Sequence, residues 1–163
     1  MNQAHFHLVV NHFPIIGLFF GIGILAFGII KKQTILVNTA YIIFIFCTIM
    51  AQASMITGEG AEEIVEELGI SHSIIHEHEE FAETFIKVLY ALGIFSILGL
   101  YFQIKKHSKT SLASYIVLLT SVVSVILSTL VGTSGGEIRH TEIRKNASQT
   151  IETENSFDHE VEE

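Results

Sequence analysis

Four stretches of the chain are almost purely apolar, Leu8 to Ile30, Ile35 to Thr57, Phe85 to Ile104 and Leu112 to Ser134, with short polar breaks between them. Each runs close to the ~20 residues that a helix rising ~1.5 Å per residue needs to cross ~30 Å of hydrocarbon. None alternates polar and apolar residues as barrel strands do, and a chain in lipid must satisfy its own backbone hydrogen bonds, so the pattern predicts transmembrane helices. The expected fold class is all-α, an integral membrane four-helix bundle over residues 1–143 with helices at about 8–30, 35–57, 72–104 and 112–134. Between the two helix pairs, Ala61, Ile64, Val65 and Leu68 space one apolar stripe along 58–71. That stripe predicts a short amphipathic segment lying on the membrane surface and ended by Gly69. Residues 144–163 lack apolar periodicity and predict a disordered acidic tail.

Charge orients these helices. The first connection carries Lys31 and Lys32, the third carries Lys105, Lys106 and Lys109, and neither holds an acid. Bases in short loops stay cytoplasmic, so both termini and the second connection are expected on the outer, periplasmic side of a bacterial inner membrane. All seventeen Asp and Glu residues fall on that side. The net charge of −8 therefore belongs to the outer face, which argues against nucleic acid or anionic lipid headgroups as partners. Met1 to Phe6 lacks the basic start of a cleaved signal, so the first helix is expected to be retained. A single cysteine, Cys47, excludes an internal disulfide.

Small residues suggest how helices meet. Gly17 and Gly21 form a Gly-x-x-x-Gly with Gly28 on the same face, and Ser114, Ser121 and Ser128 repeat at sevens beside Ser124. In lipid such residues let backbones approach closely, so packing is the expected role. A homodimer through the Gly17–Gly21 face is one form this packing takes.

The candidate chemistry lies in the outer half. His72, His76, Glu80, Glu83, Lys87 and Tyr90 share one face of the third helix at ~100° per residue, with Glu79 at its edge and His78 pointing away. An intramembrane charge usually faces the bundle interior with a partner, so this stripe is expected inside, with Lys87 paired to Glu83. His7 and His12 approach from the first helix, Glu137 and His140 from the fourth. Imidazole is the commonest metal ligand and the axial ligand of b-type haem, and helix bundles build both kinds of site from facing helices. Two readings follow: haem b held by His12 and His76, or a non-haem iron, zinc, manganese or copper site drawing on His7, His12, His72, His76, Glu79, Glu80, Glu83, Glu137 and His140.

The segment His7-Leu8-Val9-Val10-Asn11-His12-Phe13-Pro14-Ile15 resembles the His-Pro-x-x-Val-His-Phe-Pro-Ile opening of a largely uncharacterised family of small four-helix bacterial membrane proteins. Gly135-Gly136-Glu137-Ile138-Arg139-His140 is similar to that family's Gly-Gly-containing ending, and Thr57-Gly58 and His76 match its Thr-Gly and histidine positions. Phe6 departs from the pattern, where the family has proline. The resemblance spans roughly residues 5 to 143. It implies a haem or metal protein of the kind seen in small cytochrome b membrane proteins, serving electron transfer with a redox partner or within a membrane complex. A third reading is a cofactor-free accessory subunit.

Overall fold

The computed structural model describes residues 2–140 and 143–144. Among them no strand occurs, and the helices are α1 (Gln3–Val10), α2 (His12–Ile30), α3 (Thr34–Glu67), α4 (His72–Ile104) and α5 (Thr110–Arg139). Asn11 breaks α1 from α2, and Pro14 follows in the first turn of α2, where its missing N–H leaves no intrahelical bond unmade. Counting α1 and α2 as one interrupted span, the chain has four spans long and apolar enough to cross a membrane. Each of α2 to α5 packs against its sequence neighbour, and α5 returns to α2 to close the ring.

Tight caps hold the turns. Lys32 N–H donates to the Ile29 carbonyl and Gln33 N–H to that of Gly28, at 3.1 and 2.8 Å; Lys106 and His107 repeat the pattern on Gln103 and Phe102, at 3.1 and 2.9 Å. These are Schellman closures, which require a left-handed residue just past the helix. Gly69, at φ 82°, provides it for α3, but Lys32 and Lys106 take φ 52° and 51°. A side chain there costs roughly 1 kcal/mol that glycine does not incur. Lys106→Gly is expected to raise stability by about that amount, read as a higher midpoint in denaturant titration of the detergent-solubilised protein.

The core explains why α4 faces as it does. Its inward residues, Ile75, Phe85, Ile86, Leu89, Leu92, Ser96 and Gly99, pack with Leu18, Leu25, Tyr41, Phe44 and Val117. The serines of α5 face the same interior: Ser121, Ser124 and Ser128 are at most 1% exposed, their hydroxyls returned to their own helix backbone. The bonds that tie helices together include Tyr41 Oη to Ser114 Oγ at 2.8 Å and Thr48 Oγ1 to the Leu89 carbonyl at 3.0 Å. Gly17, Gly21 and Gly28 lie against Cys47, Phe44 and Val37 of α3, so α3 of the same chain occupies the face expected for a homodimer.

Three expectations are corrected. The polar stripe of α4 faces outward: His76, Glu80, Glu83, Lys87 and Tyr90 are all exposed. Burying ions costs several kcal/mol each, and the opposite, apolar face of α4 fills the core without that penalty. The segment 58–71 is not a separate surface helix, because α3 continues through it to Glu67. Gly58 and Gly60 do not break α3, since α1 packs across them with His7 and Gln3 against the two glycines. Nor does Gly135-Gly136 end the last helix, which runs on to Arg139. The acidic tail expected at 144–163 lies, apart from Arg144, outside the described residues.

Candidate functional site

Continuation of α3 and α4 past their apolar portions sets the geometry at one end of the bundle. With 34 and 33 residues these helices are about 50 Å long, and the lengths beyond the ~30 Å hydrocarbon carry Glu59 to Glu67 and His72 to Glu83. The Leu68–Ser71 turn folds the two extensions together as an antiparallel pair. Glu62 and Glu66, one turn apart on α3, thereby meet His72 at the start of α4.

One ligand atom from each of Glu62, Glu66 and His72 lies within 4.8 Å of the other two. His72 Nδ1 is 3.0 Å from Glu66 Oε1. Around this trio His76 stacks on His72 with ring centroids 6.1 Å apart, and its nitrogens lie 3.7 Å from Glu79 Oε2 and 3.6 Å from Glu80 Oε1. The carboxyls of Glu62 and Glu79 share a hydrogen bond, which, with minor burial and the charges of Glu79 and Glu66, holds Glu62 above the ordinary carboxylate range. Six titratable groups from two helices thus cluster at one tip of the bundle. One imidazole and two carboxylates neutralise a divalent cation and form a mixed nitrogen and oxygen set suited to zinc, iron or manganese; calcium takes six to eight oxygens.

The other residues selected from the sequence do not converge there. His12 is exposed, with Nδ1 2.7 Å from the Leu8 carbonyl of its own helix turn, so it and His76 both lie on the outside of the bundle in separate contacts. Glu83 pairs with Lys87 at 3.0 Å, beside the Tyr90–Gln52 hydrogen bond. Glu137 is half-buried near the end of α5, where its carbonyl accepts from Arg144 Nε at 2.9 Å, and His140 caps that helix. His7 alone of this group turns inward, with Nδ1 3.0 Å from the Ser54 carbonyl and 3.2 Å from Thr57 Oγ1.

Sequence reasoning set aside two acids and a histidine that the fold uses. Glu62 and Glu66 are absent from the expected ligands, although their four-residue spacing was the available signal once α3 is continuous. His78 read as pointing away, yet its Nδ1 is 2.9 Å from Ser134 Oγ, and its ring lies against Gly135. The signal was its place three residues after Ile75 and seven before Phe85, on the apolar face of α4.

The fold and this cluster define a class: a helical membrane protein of four spans with a histidine and carboxylate group at one end. No protein-family model, no curated protein and no solved structure matches the chain.

Proposed function

We propose that this is an inner-membrane metal-binding protein that holds a divalent transition-metal ion at its outer face through Glu62, Glu66 and His72, with His76 and Glu79 completing or buffering the site. The observation that carries the reading is the approach of three ligand atoms from two helices within 4.8 Å of one another. The proposed orientation has both termini and this cluster outside, where a metal arrives from the periplasm. Electron transfer by the bound metal is part of the same proposal and requires a redox partner. A b-type haem held by His12 and His76 is the second reading, supported by imidazole as an axial ligand and by the family resemblance, while the two rings lie in separate contacts.

The test uses protein purified in detergent without chelator and titrated with zinc followed by calorimetry. At least one equivalent is expected to bind, and His72→Ala or Glu66→Gln is expected to weaken binding at this cluster by at least ~10-fold, since loss even of a supporting residue around a metal costs 10- to 100-fold. Unchanged affinity in both variants would sink the reading. A Soret band with sharp reduced α and β bands in the same preparation would establish haem in its place.

A pH dependence follows. Glu62 retains its proton to higher pH than a free carboxyl, and an incoming cation must displace it. Zinc affinity is expected to climb as pH rises through the Glu62 titration. In the metal-free protein the sign is opposite: the folded state holds the extra proton, so this pair contributes less stability as pH rises. Glu62→Gln keeps a hydrogen-bond donor towards Glu79 and is expected to flatten the metal-free dependence, measured as the denaturation midpoint from pH 4 to 7.

A further inference from the structure

The stripe that α4 turns outward continues past the acidic cluster and into the apolar part of the bundle. Glu83, Lys87 and Tyr90 follow one another on a single helical face, and Tyr90 Oη donates to Oε1 of Gln52 on α3. All four side chains are open on the outside of the bundle: Glu83 and Lys87 are 61% and 70% exposed, and Gln52 and Tyr90 are exposed beside them.

Helix length gives their depth. Ile104 ends α4 just before Lys105 and Lys106, and Thr34 begins α3 just after Lys31 and Lys32, so both mark the same edge of the hydrocarbon. At ~1.5 Å per residue, ~30 Å of hydrocarbon then ends near Phe85 on α4 and near Ser54 on α3. Lys87 and Gln52 start about 3 Å inside that edge, and Tyr90 about 7 Å inside it. Helical side chains lean towards the start of their helix, which for α4 is the polar end. Lys87 Nζ accordingly reaches Glu83 Oε2, one turn higher, at 3.0 Å. The acid and the ammonium thus stand at the level of lipid headgroups, and the Tyr90 and Gln52 pair lies beneath them, where headgroup meets acyl chain.

Snorkelling accounts for the lysine and the interfacial aromatic belt for the tyrosine. Neither accounts for Gln52, whose amide keeps two N–H donors beyond its bond to Tyr90 on the lipid side of α3. Polar groups in that position need acceptors that hydrocarbon does not supply. A phospholipid with a zwitterionic headgroup carries the complementary groups in the matching order: its ammonium meets Glu83, its phosphate meets Lys87, and its ester carbonyls accept from Gln52. An anionic headgroup would instead meet Glu83, and Glu80 one turn above, with no cation of its own to offset them. Headgroup order is the same in both leaflets, so the match does not depend on which way the protein is inserted.

We propose that Glu83, Lys87 and Gln52, with Tyr90 positioning the amide, bind one zwitterionic phospholipid of the phosphatidylethanolamine type on the outer surface of the α3 and α4 pair. The site stands on the membrane fold and is independent of the metal reading.

The experiment titrates the full chain, delipidated in detergent, with phosphatidylethanolamine and counts bound lipid by native mass spectrometry. One equivalent is expected to bind at least ~5-fold more tightly than phosphatidylglycerol, which keeps the phosphate but lacks the ammonium, or diacylglycerol, which lacks both. Lys87→Gln is expected to weaken binding ~5-fold, the factor made by one charge at a lipid surface, and Gln52→Leu by a similar factor. Exchanging the pair, Glu83→Lys with Lys87→Glu, keeps an ion pair for the helix but inverts it for the lipid, and is expected to abolish the preference for phosphatidylethanolamine. Far-UV circular dichroism on each variant confirms that the helices persist. Equal affinity for the three lipids, or wild-type selectivity in the folded exchange variant, would overturn the site. So would a wild-type dimer that the exchange variant dissociates, because the face would then belong to a second copy of the chain.

Discussion

Replacing Lys31, Lys32, Lys105, Lys106 and Lys109 together by glutamine is expected to invert the protein in the membrane. These five are the bases of the first and third connections, proposed to lie inside, and the remaining bases of the chain, Lys87, Arg139, Arg144 and Lys145, belong to neither connection. Orientation follows the bias of Lys and Arg within about 15–20 residues of the span ends, while acids contribute little. The replacement therefore reverses the sign of the bias instead of merely weakening it, and most molecules are expected to insert with their termini in the cytoplasm. Glutamine has no greater difficulty than lysine with the left-handed backbone at positions 32 and 106, so the caps are retained. A C-terminal phosphatase, active only outside, and a C-terminal fluorescent protein, bright only inside, are expected to exchange signals. If the phosphatase remains active, the folded outer extensions and not the lysines set the topology. The proposed orientation would then have a different physical cause.

The apolar runs and the paired lysines were legible because hydrocarbon imposes them: a span must be long, apolar and helical whatever it packs against. What the periodicity of α4 left open was which face turned inward. A stripe of His76, Glu80, Glu83 and Lys87 and a stripe of Ile75, His78, Phe85 and Leu89 are equally regular, and only the cost of desolvating the ions decides between them. The decision moved His76 outside and His78 inside, against Ser134. Continuity of α3 was hidden for a different reason. Gly58-Glu59-Gly60 reads as a break in one dimension, and becomes a packing seat only when His7 and Gln3 of α1 arrive from more than fifty residues away. The trio of Glu62, Glu66 and His72 depends on that continuity. It was therefore beyond reach from local pattern, although each member is an ordinary metal-ligand residue type.

The seam between α2 and α3 yields the sharpest test of the bundle itself, because two glycines two residues apart are expected to respond in opposite senses. Gly21 is buried, and a Cβ built there stands 2.5 Å from Phe44 Cε1 and 3.0 Å from Cδ1. Phe44 is fully buried in the core, so its ring has no free volume into which to swing. Gly23 is exposed, and a Cβ there meets nothing within 4 Å. Replacing glycine in a helix interior otherwise contributes roughly 0.5–1 kcal/mol through lost unfolded-state freedom. At position 23 that gain stands alone, so Gly23→Leu is expected to be neutral to stabilising. At position 21 it is set against overpacking, which costs about 1–3 kcal/mol for an added methylene or two and more for a whole isobutyl group wedged between helices. Gly21→Leu is therefore expected to lose roughly 2 kcal/mol or more net, through separation of α2 from α3. Unfolding in mixed micelles with increasing SDS, followed by circular dichroism, reads both variants against the parent. Equal shifts would mean that Gly21 and Gly23 share one environment, as they would if α2 faced lipid on every side and the bundle closed without it.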